Sequence, residues 1–133
     1  MRPVEKWFKA KGWKPQDFQV DCWEHYAKGK NIMLHAPTGT GKTYAVWGGI
    51  LNETFELKKI EEGINVIWIT PLRALAVEIQ KSTQQLSSDL KTGIKVDLRT
   101  GDTPQSRRIK QNQNFPFGLI TTPESLHVLL SSK

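Results

Sequence analysis

Apolar residues recur along this chain at two spacings, and the spacings divide it into alternating segments. In residues 4–11, Val4, Trp7 and Phe8 fall at i, i+3 and i+4, which predicts a short amphipathic helix that Gly12 can end. Phe18, Cys22 and Tyr26 line one face of a second helix over 16–28, with Pro15 before it and Gly29 after it. The short apolar run 32–34 reads as a buried strand leading into a glycine-rich stretch, 36–43. A helix follows from Lys42 to about Leu57, with Trp47, Leu51 and Phe55 as its stripe and Val46 and Ile50 beside them. Gly48 and Gly49 stand inside that helix at roughly 1 kcal/mol each relative to alanine. Close packing on a sheet would explain them.

The second half repeats the alternation. Residues 65–70 form an apolar strand, 94–99 alternate apolar and polar as a half-buried strand does, and 117–121 form another apolar strand. Between them, 71–87 place Leu72, Leu75, Ala76 and Ile79 at helical spacing, and 104–110 form a short basic helix. A last helix starts at Pro123 with Leu126, Leu129 and Leu130 on one face. Strand and helix in turn predict an α/β fold with a mainly parallel sheet and flanking helices. Ligands of such sheets bind beyond the carboxyl ends of the strands.

The glycine-rich stretch carries the strongest chemistry. Residues 36–43 resemble the phosphate-binding loop G-x-x-x-x-G-K-[ST], with Ala36 in place of the first glycine. Backbone N–H groups of Thr38, Gly39, Thr40 and Gly41 would wrap phosphate oxygens, and the two glycines keep side chains away. The helix starting near Lys42 points its positive end at the phosphates. Lys42 would reach the β and γ phosphates as the catalytic cation, and the Thr43 hydroxyl would ligate Mg²⁺. ATP and Mg²⁺ are the cofactors this pattern predicts.

Thr70-Pro71, Thr103-Pro104 and Thr122-Pro123 each set a helix-capping residue before a proline suited to the first helical position. These are good helix starts on local grounds alone. They are also three sets of free N–H groups, able to follow a phosphate backbone.

Composition narrows the setting. The 133 residues suit one domain able to bury its own core, and 38% hydrophobic with 24% charged residues is ordinary for a folded chain. No apolar run approaches the ~20 residues of a membrane span, so no membrane partner is expected. Cys22 is the one cysteine, read as a reduced core thiol; with no export signal at the amino terminus, a cytoplasmic location is expected. A net charge of +6 suits a polyanionic partner. Trp23, Trp47 and Trp68 lie in elements expected to be core. Trp13 is open between packing and a place near an adenine.

The order of APTGTGKT (36–43), PLRALA (71–76), TGD (100–102) and TTPESL (121–126) resembles superfamily 2 helicases of the DEAD/DExH-box type. KGWKPQDFQVDCW and RTGDTPQSRR resemble more narrowly the Lhr-like, or large helicase-related, family. That family includes the DExH helicases associated with DNA ligases in bacterial repair clusters. The resemblance implies a RecA-like first motor domain, of which residues 1–133 would be the amino-terminal portion, incomplete at the carboxyl end after motif Ib. Gln19 matches the adenine-recognising glutamine, whose carboxamide has both the donor and the acceptor that adenine requires; the alternative is an exposed helix glutamine. By the same match Pro71, Arg73, Thr122, Pro123, Glu124 and Ser125 would contact the nucleic-acid backbone, and Gly101 would let it approach. Asp102 reads as a turn or cap residue, and Arg107 and Arg108 as further phosphate contacts.

The resemblance also implies an ATP-dependent 3′–5′ DNA helicase or translocase in repair. Its partners would be single-stranded DNA or a duplex junction, the rest of the helicase chain, and a DNA ligase and nuclease of a repair cluster. RNA is the alternative polymer. Such motors need an Asp-Glu pair to help hold Mg²⁺ and orient the attacking water, and this chain has none. The expectation is an ATP-binding fragment that does not hydrolyse ATP by itself. A small P-loop kinase or a transport ATPase is a rival enzyme class, and a nucleotide-dependent nucleic-acid binding module a rival without catalysis.

Overall fold

Pro3–Ala10 (α1), Asp17–Ala27 (α2) and Lys42–Leu57 (α3) are the helices that the three-to-four spacing predicts. A computed structural model describes residues 2–36, 41–58 and 60–131. These three helices belong to the first of its two units, Met1–Lys59 with Asp89–Thr92. Pro3 sits in the first turn of α1, where its missing N–H costs nothing. Gln16 and Gln19 close a capping box ahead of α2, each side chain accepting the other's backbone N–H. Trp23, Trp47 and Leu51 are almost fully buried.

The glycines of α3 face a helix, not a sheet. A Cβ on Gly48 would fall 2.5 Å from Trp23 Nε1, and one on Gly49 3.2 Å from the Cβ of Tyr26. Both residues therefore let α3 approach α2. The Trp23 indole N–H donates to the Tyr44 carbonyl at 3.0 Å, so this buried donor is satisfied.

The strand expected at 32–34 is not formed. Residues 31–36 have no regular structure, and Met33 is 95% exposed. A strand exists only where a neighbour takes its N–H and C=O groups, and none of the three strands among the described residues pairs with this run.

The second unit, Ile60–Ser88 with Gly93–Lys133, carries those strands. In chain order it holds Val66–Ile69 (β1), Arg73–Asp89 (α4, whose last residue falls in the first unit), Val96–Arg99 (β2), Gln105–Gln113 (α5), Gly118–Thr121 (β3) and Pro123–Ser131 (α6). The sheet order is β1-β3-β2 and both pairings are parallel. Central β3 is buried along its whole length, as a doubly covered parallel strand should be. Its Thr121 is in register with both Ile69 and Arg99, which aligns the carboxyl ends of all three strands.

The outer strands end differently. Along β2, Gln84 accepts the Val96 N–H at 2.8 Å and donates to Ile94 O at 3.1 Å, while Gln80 donates to Val96 O at 2.8 Å. Two carboxamides of α4 thus stand in for a neighbouring strand and cover that edge. Among the described residues β1 has no such cover, and its Ile67 and Ile69 are about half exposed. Trp68 is half-buried rather than core. In α4 the buried face is Ala76, Ile79, Thr83 and Leu86. Leu72 and Leu75, expected in that stripe, are exposed, and Leu72 precedes the helix.

Candidate nucleotide and nucleic-acid sites

In the first unit the candidate nucleotide site is built on the start of α3. Gly41 stands at its N-cap with φ 88°, the left-handed region that glycine enters without strain. Among the described residues no side chain caps the helix, and the first N–H groups of a helix suit an anion. Lys42 and Thr43 occupy the first two helical positions, both half-buried. None of the ion pairs among the described residues involves Lys42. Thr38, Gly39 and Thr40 lie outside the described residues.

Gln19 is 3% exposed, which removes the alternative of a solvated helix glutamine. Its Oε1 accepts the Gln16 N–H at 2.8 Å and its Nε2 donates to Gly41 O at 3.1 Å. Among the described residues these bonds use one N–H and one lone pair of the carboxamide, which has a second of each. A Cβ on Gly41 would fall 2.5 Å from that same Nε2, so glycine is required there by space as well as by φ. Trp13 packs against Trp7 and Phe8 edge-on, with ring centroids 5.5 and 6.0 Å apart, and stays 48% exposed. Cys22 is a free, buried thiol as expected, and burial pushes its pKa up.

In the second unit, three buried threonines follow the three strands: Thr70 after β1, Thr100 after β2 and Thr122 after β3. Only Thr122-Pro123 fits the expected cap-then-proline design. Pro123 opens α6, and Thr122 Oγ1 accepts the Ser125 N–H at 3.4 Å and donates to Ser125 Oγ at 3.1 Å. Thr70 Oγ1 accepts the Leu72 N–H at 3.4 Å, and Pro71 lies ahead of α4. Pro104 is the N-cap of α5 rather than its first residue. The Thr103 hydroxyl accepts the Thr100 N–H at 2.9 Å, so it is spent on the turn instead of the helix. Thr100 was missed by the sequence reading, because the Thr-Pro pattern pointed three residues further on.

The remaining expected contacts meet on this same edge. Arg73, the first residue of α4, donates from Nη1 to Asp102 Oδ1 at 3.1 Å. A Cβ on Gly101 would fall 2.5 Å from Arg73 Nη2, so the guanidinium lies against the backbone of that turn. The Asp102 N–H donates to Thr100 Oγ1 at 3.2 Å, which makes Asp102 the turn residue expected. Pro71, Arg73, Gly101, Pro123 and Glu124 are exposed and Ser125 is half-buried. Arg107 is held by the Asp97 carboxylate, while Arg108 donates from Nη2 to Thr100 O at 2.8 Å. A concavity of this unit lies beside the residues that lead into the strands, such as Gly63, Lys95 and Phe117. Of the expected contacts, Arg107 lines it, while Arg73, Gly101 and Ser125 do not.

The DEAD/DEAH box helicase family profile matches residues 16–133. The ATP-dependent helicase Lhr-Core of Methanocaldococcus jannaschii is 33% identical over 148 residues, covering 98% of this chain and 17% of that protein. The Lhr helicase/uracil glycosylase of Escherichia coli is 31% identical, covering 96% of this chain and 9% of that protein. The solved structure of Mycobacterium smegmatis helicase Lhr bound to ssDNA and AMP-PNP superposes with a TM-score of 0.80 at 32% identity, over 98% of this chain and 18% of that one. This chain therefore spans less than a fifth of each.

Proposed function

The chain belongs to the DEAD/DEAH box helicase family, and on that premise we propose that it is the ATP-binding segment of an ATP-dependent DNA helicase or translocase of Lhr type. The observation that carries this is the start of α3, where, among the described residues, a helix end without a side-chain cap and a Lys42 outside every ion pair stand beside a Gln19 tied to Gly41. That arrangement suits a nucleotide: anionic oxygens on the helix N–H groups, Lys42 on the outer phosphates, and the carboxamide of Gln19 on the base. By the loop pattern, Thr38, Gly39 and Thr40 would belong to the phosphate cradle, and the Thr43 hydroxyl would be a ligand for Mg²⁺. Bound Mg²⁺ neutralises charge between the β and γ phosphates.

DNA is the polymer, single-stranded or at a duplex junction, held along the carboxyl edge of the sheet. Arg73 makes a charge-assisted phosphate contact, Pro71, Thr122, Pro123, Glu124 and Ser125 line the path, and Gly101 lets the backbone come close. The M. smegmatis relative's complex with ssDNA and AMP-PNP supports both halves of this reading. No 2′-OH reader is recognisable, so RNA is the competing polymer. Movement in the 3′–5′ sense, a role in repair, a ligase and nuclease as partners, and a cytoplasmic location follow from the resemblance to ligase-associated helicases. With no Asp-Glu pair, the chain by itself binds nucleotide without turning it over.

Titration of the chain with a fluorescent ATP analogue and Mg²⁺, beside Lys42→Ala, tests the nucleotide half. Binding lost in the variant is expected; equal binding by both chains would overturn it. For the polymer half, the slope of log affinity against log salt for oligo-dT should fall by about 0.7 in Arg73→Ala. No binding of oligo-dT by the folded chain at low salt would end that reading.

A further inference from the structure

Arg99 and Arg108 meet at one corner of the second unit without an acid between them. Arg108 and Asn112 are four residues apart on α5 and so share a face. Arg99, the last residue of β2, donates from Nη1 to Asn112 Oδ1 at 2.9 Å, and Arg108 donates to the carbonyl of Thr100, the next residue along. Both guanidinium groups thus end on neutral oxygens. The acids beside them in sequence are already used: Asp97 by Arg107 and by Gln111 at 3.0 Å, and Asp102 by Arg73.

Such a pair is costly as it stands. Arg99 is only 7% exposed, and Arg108 Nε is buried with no acceptor. Burial, and then the neighbouring Arg108 charge, lower the Arg99 pKa. Like charges withdrawn from water are stable only where an opposite charge compensates them. Among the described residues no carboxylate pairs with either group.

We propose that Arg99 and Arg108 form a seat for one phosphate-type oxyanion at the carboxyl end of β2. The guanidinium fork matches the geometry of phosphate oxygens, and Arg108 Nε offers a donor that the protein leaves unused. Two sources share this chemistry: a backbone phosphate of a polynucleotide, and free inorganic phosphate. The first rests on the polymer reading above; the second does not.

The test titrates inorganic phosphate into the full chain at constant ionic strength, reading phosphorus NMR line width and the thermal midpoint. Lys42→Ala is kept in every sample so that the glycine-rich loop does not contribute. Phosphate should bind and raise the midpoint. Arg108→Gln should weaken binding at least tenfold, on the order of one charge-assisted bond. Lys110→Gln, which removes an exposed charge from the same helix, should leave it unchanged. Arg108→Lys keeps the charge, loses the fork and should fall between, which covers the case of Arg108→Gln failing to fold.

Salt slopes for oligo-dT then separate the sources. A slope about 0.7 lower in Arg108→Gln assigns the seat to a backbone phosphate. An unchanged slope, or no oligo-dT binding at all, assigns it to free phosphate and in the latter case ends the polymer reading alone. No phosphate binding by the folded chain, or equal binding by Arg108→Gln, overturns the seat.

Discussion

Gln19 and Gly41 are joined twice, by a 3.1 Å hydrogen bond from the Gln19 amide to the Gly41 carbonyl and by the absence of a Cβ that would fall 2.5 Å from that amide. A buried carboxamide therefore fixes where α3 begins. Gln19→Ala strips the partner from the Gln16 N–H and the Gly41 C=O, at a cost of about 1–3 kcal/mol. We expect a lower urea midpoint together with weaker binding of the ATP analogue. A variant that melts and binds like the parent would show that this joint positions nothing.

Gly48 sets two effects against each other. Helix propensity alone promises about 1 kcal/mol of gain from Gly48→Ala. The added Cβ would meet the Trp23 ring at 2.5 Å, in a residue 1% exposed whose N–H is already bonded. Overpacking of this kind costs about 1–3 kcal/mol, so the net effect is destabilising. Chemical denaturation reads the sign directly, and a stabilised variant would mean that Trp23 gives way freely.

Tyr26 links the first unit to pH. Burial first, and the Glu53 carboxylate second, raise its pKa above the ordinary 10.0. Its stabilising contribution is therefore complete below pH 10 and is lost as pH rises through the raised folded value. Ultraviolet titration of tyrosinate should show Tyr26 titrating late, moved earlier but not fully normalised by Glu53→Gln. An unchanged late titration in that variant would leave burial as the whole cause.

The open edge of β1 predicts association. Ile67 and Ile69 are 47% and 50% exposed on a strand that pairs on one side only among the described residues. Unpaired N–H and C=O groups flanked by apolar side chains recruit further strands. The chain by itself should sediment as a concentration-dependent mixture, and Ile67→Lys with Ile69→Lys should shift it toward monomer. Clean monomer in the parent at high concentration would contradict this.

Much of the fold was legible in the residues because its signals are local. Lys42–Leu57 begins and ends where the glycine loop and the apolar stripe place it, since helix hydrogen bonds join residues four apart. The three strands of the second unit were found for a related reason: their apolar runs sit between turn residues. The placement of candidate residues was legible where a motif fixes backbone geometry, as at Gly41, and where a cap pattern marks a helix start, as at Thr122. Not legible were Thr100 and the meeting of Arg108, an expected phosphate contact, with Arg99 from the preceding strand.

The sequence by itself determined the helix positions, the parallel α/β plan, the glycine loop and the family to which its motifs belong. Each of these depends on neighbours a few residues away or on the order of short motifs. Only the tertiary structure decided that 32–34 has no strand partner and that Gly48 faces Trp23. It alone decided that Gln19 is buried against Gly41 and that α4 hides Ala76 and Ile79 while exposing Leu75. Burial and pairing belong to residues that come together from far apart in the chain, and a periodic pattern says which side chains share a face without saying what that face will meet.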